Sequence, residues 1–568
     1  MKKLIYFLLF VSSGCWAQED ESEPKDYGRV YGGFESNSQW YLNDKGKQIP
    51  QPEDPLRSNN YLFVNYQYKK WSTGVQIEGY EKNALLNYNP LFEGTDFATY
   101  YISYKSDKFQ STVGYFYEQF GSGLLFRAWE DRALGINTAL RGGRIIYNPI
   151  NNLNIKVIAG QQRSGFDVSE GMIYGLDSEL NLTEWFKWET SDLSIGGSYV
   201  GRYEKLENPN LDIDPLTNTF AGRFNFFHDA FYFSGEYNYK SKDAILYFND
   251  LIPNFSKSGS AVLFNSGYSK SGLGIDLTLR RLENFSFLSE RTPKKYPDLN
   301  SNSNQEVTNI NFNDKIVNFA PALTKQHHSN LANIYVYQAQ NKIDFVDGQI
   351  MKAGETGGQI DVFYDIKKET LLGGKYGTKV AVNLSSWYNL PGTYQSSPPD
   401  YETNFFGVGR KYFSDYNIEI KKKLSETWRT GFYYVRQYYN KTWIEGGHEV
   451  NTNILDAEAV YNFTSTRSIR FEVEHLWADA DFKNWAGGTV EFNWNDKLSF
   501  YFWDIINYGN DKVEKRNHYY NVGGSYRFGS TRIAMNFGRQ RGGLVCVGGV
   551  CRFVPESTGL SLSLNTAF

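Results

Sequence analysis

Ile469, Phe471 and Val473 alternate with Arg470, Glu472 and Glu474. A strand with that order has one apolar and one charged face, because successive side chains point to opposite sides of a sheet. The same period of two recurs in Leu273, Ile275, Leu277 and Leu279 against Gly274, Asp276, Thr278 and Arg280, and in Leu153, Ile155 and Val157 against Asn152, Asn154 and Lys156. Charges against a dry core are costly, so the pattern fits a barrel with lipid outside and a wet lumen better than a sandwich. Aromatic residues crowd the segment ends, in Trp428 with Tyr433 and Tyr434, in Trp477, and in Trp503 with Tyr508, and read as interfacial girdles.

The connections sort by parity. Tight ones fall at Lys69-Lys70, Ser106-Asp107-Lys108, His228-Asp229, Ser269-Lys270-Ser271, Asn495-Asp496-Lys497 and Gly529-Ser530. Long polar ones lie between them, at 43–59, 204–218, 242–258, 389–403, 440–450 and 510–517. Outer-membrane barrels have short periplasmic turns and long surface loops, and a sandwich or propeller has no reason to sort loops this way. The fold expected is all-β: one large, closed, antiparallel transmembrane barrel of about 24 strands (about 22 to 26), with both termini periplasmic.

Both chain ends agree. Met1-Lys2-Lys3 and the apolar run 4–11 have the form of a secretory signal, too short to span a membrane as a helix. Residues 1–17 are expected to be cleaved, leaving an acidic segment 18–26 and a single barrel domain over 27–568. The competing reading is lipidation at Cys15, against which stands Ser12, where a lipobox carries an apolar residue. At the other end Leu560, Leu562, Leu564, Thr566 and Phe568 share one face of a final strand. A terminal aromatic closing such a strand resembles the sorting signal read by the barrel-assembly machinery.

Composition excludes other classes. The net charge of −4 leaves no nucleic-acid footprint or polybasic patch. No segment after the signal approaches about 18 consecutive apolar residues, which excludes a helical membrane protein. A TonB-dependent transporter is disfavoured because strand-like sequence begins near Tyr27, with no N-terminal globular plug before it.

Cys546 and Cys551 flank Val547-Gly548-Gly549-Val550, a favoured two-residue hairpin turn. In that register the cysteines oppose each other at a non-hydrogen-bonded pair, where Cα atoms approach to about 4.5 Å and a disulfide can form. A metal site is a weaker reading, since no histidine lies nearby. Parity places this hairpin outside the cell, and it is expected to protrude.

Two long segments break the alternation. In 119–140 the glycines of Gly121-Ser122-Gly123 permit a bend, and Leu124, Leu125, Phe126 and Trp129 are too apolar for a solvated loop. Arg127, Glu130, Asp131 and Arg132 are the residues expected to face lumenal charges if this segment folds inward as a constriction. The alternative is a surface loop with those charges solvated. The second segment, 283–354, is long enough to be functional or disordered. Its His327-His328 pair reads as polar loop residues, and no metal or cofactor is expected.

The stretches Tyr117-Glu-Gln-Phe-Gly-Ser-Gly-Leu-Leu-Phe-Arg-Ala-Trp-Glu-Asp-Arg132, Pro321-Ala-Leu-Thr-Lys-Gln-His327, Lys411-Tyr-Phe-Ser-Asp-Tyr-Asn-Ile-Glu-Ile420 and the cysteine hairpin within 538–555 resemble a Bacteroidota outer-membrane barrel family of unknown function. The resemblance implies location and fold, and no activity.

Three function classes follow. A porin-like channel for small solutes with an inward constriction loop is the leading one. A non-transporting barrel that scaffolds a surface lipoprotein or a secretion or assembly complex is the alternative. Catalysis is not expected, because the six histidines show no Ser/His/Asp arrangement by spacing. The expected partners are outer-membrane lipid, the barrel-assembly machinery and, in the alternative, that lipoprotein or complex.

Overall fold

The computed structural model describes residues 27–568 apart from 82, 90–91, 207–212, 248–249, 292–294, 298–305, 309–314 and 347. The expected signal 1–17 with Cys15, and the acidic segment 18–26, lie outside the described residues. Twenty-four strands form one antiparallel sheet, each paired with its neighbours in chain order. The first strand, Arg29–Tyr41, pairs with the last, Ser557–Ala567, from Gly33 opposite Ala567 to Tyr41 opposite Gly559, and so closes the barrel. Closure leaves no sheet edge with unpaired backbone groups.

Phe568 completes the seam. Its N–H donates to the Gly32 carbonyl at 3.0 Å, and its carbonyl accepts from Gly32 N–H at 2.9 Å. A Cβ at position 32 would come within 2.8 Å of the Phe568 ring, so the close approach requires glycine. Leu562 and Phe568 are exposed on the outer face, while Ser563 points inward and donates to Asn37 Oδ1 at 2.9 Å.

The period of two holds around the wall. Phe471 and Val473 stand on the outer face, Val473 at 65% exposure, among the exposed apolar and aromatic side chains that form the lipid-facing belt. Among the described residues no helix is long and apolar enough to cross a membrane. The girdle expectation is corrected in two places. Tyr433 and Trp503 belong to the inward rows, and Tyr433 is buried. Period two sends Tyr433 and Tyr434 to opposite faces, so only one of them can meet lipid.

Both described termini lie at the end with tight turns. Parity has exceptions. The 165–166 connection is tight at the long-loop end, while 182–190, with its helix Thr183–Phe186, and 367–377 are longer at the short-turn end. The expected loop 242–258 is largely a hairpin, because Phe231–Tyr247 and Asp250–Lys270 stay paired beyond the barrel.

The apolar core lies inside the barrel. Three connections at the long-loop end, 117–139, the described residues of 284–353, and 541–556, turn inward and pack on the lumenal side chains.

Candidate functional site: the plugged lumen

The 117–139 connection forms two small hairpins, Glu118–Phe120 with Phe126–Ala128 and Glu130–Asp131 with Ile136–Asn137. Gly121 (φ 52°) and Gly123 (φ 91°) make the bend, in the left-handed region that glycine tolerates. Phe120, Leu124, Leu125 and Phe126 are buried with Ile158, Ile173 and Val200 of the wall. Each fully buried side chain of this size contributes about 1.5–3 kcal/mol. This loop also pairs with the long inward one, Phe319 N–H to Gly123 O and Arg127 N–H to Val317 O, both at 2.9 Å.

The four charged residues of this segment take different places. Arg132 reaches Glu35 on the first strand at 3.1 Å and Glu130 at 3.2 Å, and lies over the Tyr61 ring at 4.8 Å. Glu130 also accepts from Gln76 Nε2 at 3.0 Å. Arg127 stacks on Trp129 and Phe319, at 4.6 and 4.0 Å, and Asp131 caps a turn by accepting from Leu134 N–H at 2.9 Å. Glu130 and Arg132 thus tie the loop to the wall, Arg127 ties it to Phe319 of the long inward loop, and Asp131 organises the loop itself.

The long loop docks through residues 321–337. Arg280 donates to Pro321 O and to Glu355 Oε1, each at 2.6 Å, and Glu355 Oε2 accepts from Tyr337 Oη at 2.5 Å. Between these anchors the strap lies on an acidic strip. Lys325 pairs with Glu419 at 2.5 Å, His327 with Asp415 at 2.9 Å, and Ser329 Oγ and Leu331 N–H donate to Glu474 at 2.5 and 2.9 Å. Beyond it Leu331, Ala332, Tyr335 and Tyr337 are buried against Trp387, Tyr439, Leu476 and Trp485.

His328 contacts Asp456 at 2.9 Å and Glu472 at 3.4 Å. Burial opposes its charge, but the two carboxylates outweigh burial and hold its pKa above the ordinary value. Lys352, on the plug strand Ile350–Lys352, shows the opposite balance. Burial lowers its pKa despite Asp344, and Nζ donates to the Trp443 and Ile444 carbonyls at 3.1 Å.

Glu472 and Glu474 face the lumen as their alternation requires, but at 4% exposure each they are covered by the strap and not wet. No spacing in the sequence connects Asp415, Glu419 and Asp456 with the loop. The available signal was acids two apart on consecutive strands, Asp456 and Glu458 beside Glu472 and Glu474, all on the inward row.

The cysteine hairpin pairs Gly543–Val547 with Val550–Val554, and Cys546–Cys551 is a disulfide with Cα atoms 4.0 Å apart. The hairpin does not protrude. Gly549 O accepts from Ala322 N–H and Gln326 Oε1 accepts from Gly548 N–H, both at 2.9 Å, and Arg552 donates to Ala133 O at 2.6 Å. A Cβ at Gly549 would lie 2.6 Å from Ala322 O, so the glycine that makes the turn also permits the docking.

Below the plug, toward the short turns, lies a cavity of about 450 Å³ with a mixed lining, polar at Asn65, Gln110 and Thr112 and aromatic at Phe63, Tyr101 and Phe116, with Arg132 against it. Elsewhere, Ser191 Oγ meets His228 Nδ1 at 2.8 Å with Asp229 3.7 Å from Nε2, but His228 and Asp229 are exposed at a short turn, away from the plug.

A closed antiparallel barrel with an apolar outer belt and a polar, loop-filled lumen is an integral barrel of the outer-membrane type. The chain belongs to the DUF6029 family, a family of unknown function, which it matches over residues 1–568. No curated protein matches it by sequence. Solved structures similar to it include the siderophore receptor PirA from Pseudomonas aeruginosa, at 10% identity and TM-score 0.40, covering 96% of this chain and 81% of that one. The translocation pore of the P pilus usher PapC is similar at 8% identity and TM-score 0.37, covering 95% and 99%. The outer membrane transporter YddB from Escherichia coli is similar at 8% identity and TM-score 0.39, covering 95% and 81%.

Proposed function

We propose that the protein is an outer-membrane channel for small polar solutes, gated by its own inward loops, with the short turns and both termini in the periplasm. The observation that carries the reading is the combination of an open cavity with a mixed polar and aromatic lining at the short-turn end with a plug docked above it through side-chain hydrogen bonds and ion pairs. A lumen meant only to be filled needs no such open chamber, and over its acidic seat the strap is held by the polar contacts of Lys325, His327 and Ser329, its apolar burial lying further on, from Leu331 to Tyr337. The belt would contact outer-membrane lipid, and Leu560, Leu562, Leu564 and Phe568 would be read by the barrel-assembly machinery. Swelling of proteoliposomes in small sugars tests this. Wild-type barrels should admit sugar slowly and a Glu474→Gln, Asp415→Asn double variant several-fold faster; no flux through either would overturn the channel reading.

One observation favours the scaffold alternative. Phe405, Phe406 and Val408 are exposed on a connection at the long-loop end, where a surface lipoprotein could dock. Barrels without flux whose Phe406→Ser variant loses a co-purifying outer-membrane partner would favour it.

A further inference from the structure

His328, Asp456 and Glu472 present three ligand atoms that all lie within 4.8 Å of one another. They come from three separate parts of the chain: the strap, the strand Glu449–Asn462 and the strand Ser468–Ala478. We propose that they form a binding site for a divalent transition-metal ion, which clamps the strap to the barrel wall.

Asp456 is 1% exposed, and neither of its carboxylate oxygens has a hydrogen-bond donor in good geometry. Glu472 Oε1 is likewise buried without a donor. Arg470 takes the other Glu472 oxygen and is shared with Glu458 at 3.0 Å and Glu491 at 3.2 Å. Among the described residues no lysine or arginine pairs with Asp456, so an imidazolium at His328 is its one positive partner, and that charge is shared with Glu472, whose own cation Arg470 serves three carboxylates. Buried carboxylates left in that state are costly. A dication bound to neutral imidazole supplies two charges and occupies the lone pairs that no donor reaches.

Geometry and ligand chemistry agree. His328 Nε2 is 2.9 Å from Asp456 Oδ2 and 3.4 Å from Glu472 Oε1. An ion held at roughly 2.0–2.2 Å by nitrogen and oxygen ligands requires them about 3–4 Å apart. One imidazole and two carboxylates suit zinc or manganese, whereas calcium and magnesium take all-oxygen sets. The His328 side chain is 37% exposed, which leaves a side of the site open to a water ligand. The clamp does not depend on transport, because it concerns only how the strap is held.

The test uses the full-length barrel in detergent, stripped with chelator and titrated calorimetrically with zinc chloride. The wild type should bind one equivalent, and His328→Gln and Asp456→Asn should each bind at least about tenfold more weakly. Zinc should also slow hydrogen exchange at the Leu331 amide in the wild type but not in His328→Gln. Heat-modifiable gel migration confirms that each barrel is folded. If Asp456→Asn fails to fold, the half-exposed His328→Gln still decides. Absence of a saturable equivalent, or one unchanged in the folded variants, would overturn the site.

Discussion

Ser329 donates a hydrogen bond of 2.5 Å to Glu474, a residue 145 positions later in the chain. One partner belongs to the inward strap and the other to the barrel wall. Because Glu474 also accepts from Leu331 N–H, removing it orphans two donors in a buried place. Glu474→Ala should weaken strap docking by about 1–3 kcal/mol. Hydrogen exchange at the Leu331 amide should speed up by a matching factor while the wall strands stay protected.

Arg280 and Glu355 form a buried pair that also anchors both ends of the strap, through Pro321 and Tyr337. Breaking it by Glu355→Ala leaves a guanidinium uncompensated and should cost about 3–5 kcal/mol. The temperature at which the folded gel band gives way to the unfolded one should fall clearly. Replacing both residues with apolar ones of similar size should recover much of the loss.

The disulfide closes a short loop, so its removal should leave the barrel's unfolding temperature nearly unchanged. Its local effect should be larger. In a Cys546→Ser, Cys551→Ser variant the Ala322 amide, which donates to Gly549, should lose protection from exchange. A thiol count on the wild type in denaturant should find neither Cys546 nor Cys551 free.

Arg132 lies against the cavity below the plug and is held there by Glu35 and Glu130. In barrels opened by Glu474→Gln and Asp415→Asn, Arg132→Ala should move the reversal potential under a potassium chloride gradient toward cation preference. An unchanged reversal potential would remove Arg132 from the conduction path.

The wall was largely legible in the sequence because each strand states its two faces locally. Val473 and Glu474 differ by one position and point to lipid and lumen, and Phe568 closes against Gly32 as a terminal aromatic strand should. The filling of the lumen was legible only as a tendency, from apolar residues such as Leu124 and Leu125 in a segment that breaks the alternation. Which side chains meet inside the lumen was not legible, since Ser329 and Glu474, or His328 and Asp456, are joined by the docking of the long loop on the wall and not by any sequence spacing. The cysteine hairpin shows the same limit. Its turn follows from Gly548-Gly549, but its inward tilt depends on Ala322, more than two hundred residues earlier.

Thiol cross-linking between strap and wall tests most directly whether the plug occupies the lumen. Ser329→Cys combined with Glu474→Cys should cross-link with a short bis-maleimide in membranes. Ser329→Cys with Val473→Cys, one residue away but facing lipid, should not. Failure of the first pair, or equal cross-linking of both, would contradict a strap seated on the inner face of the barrel.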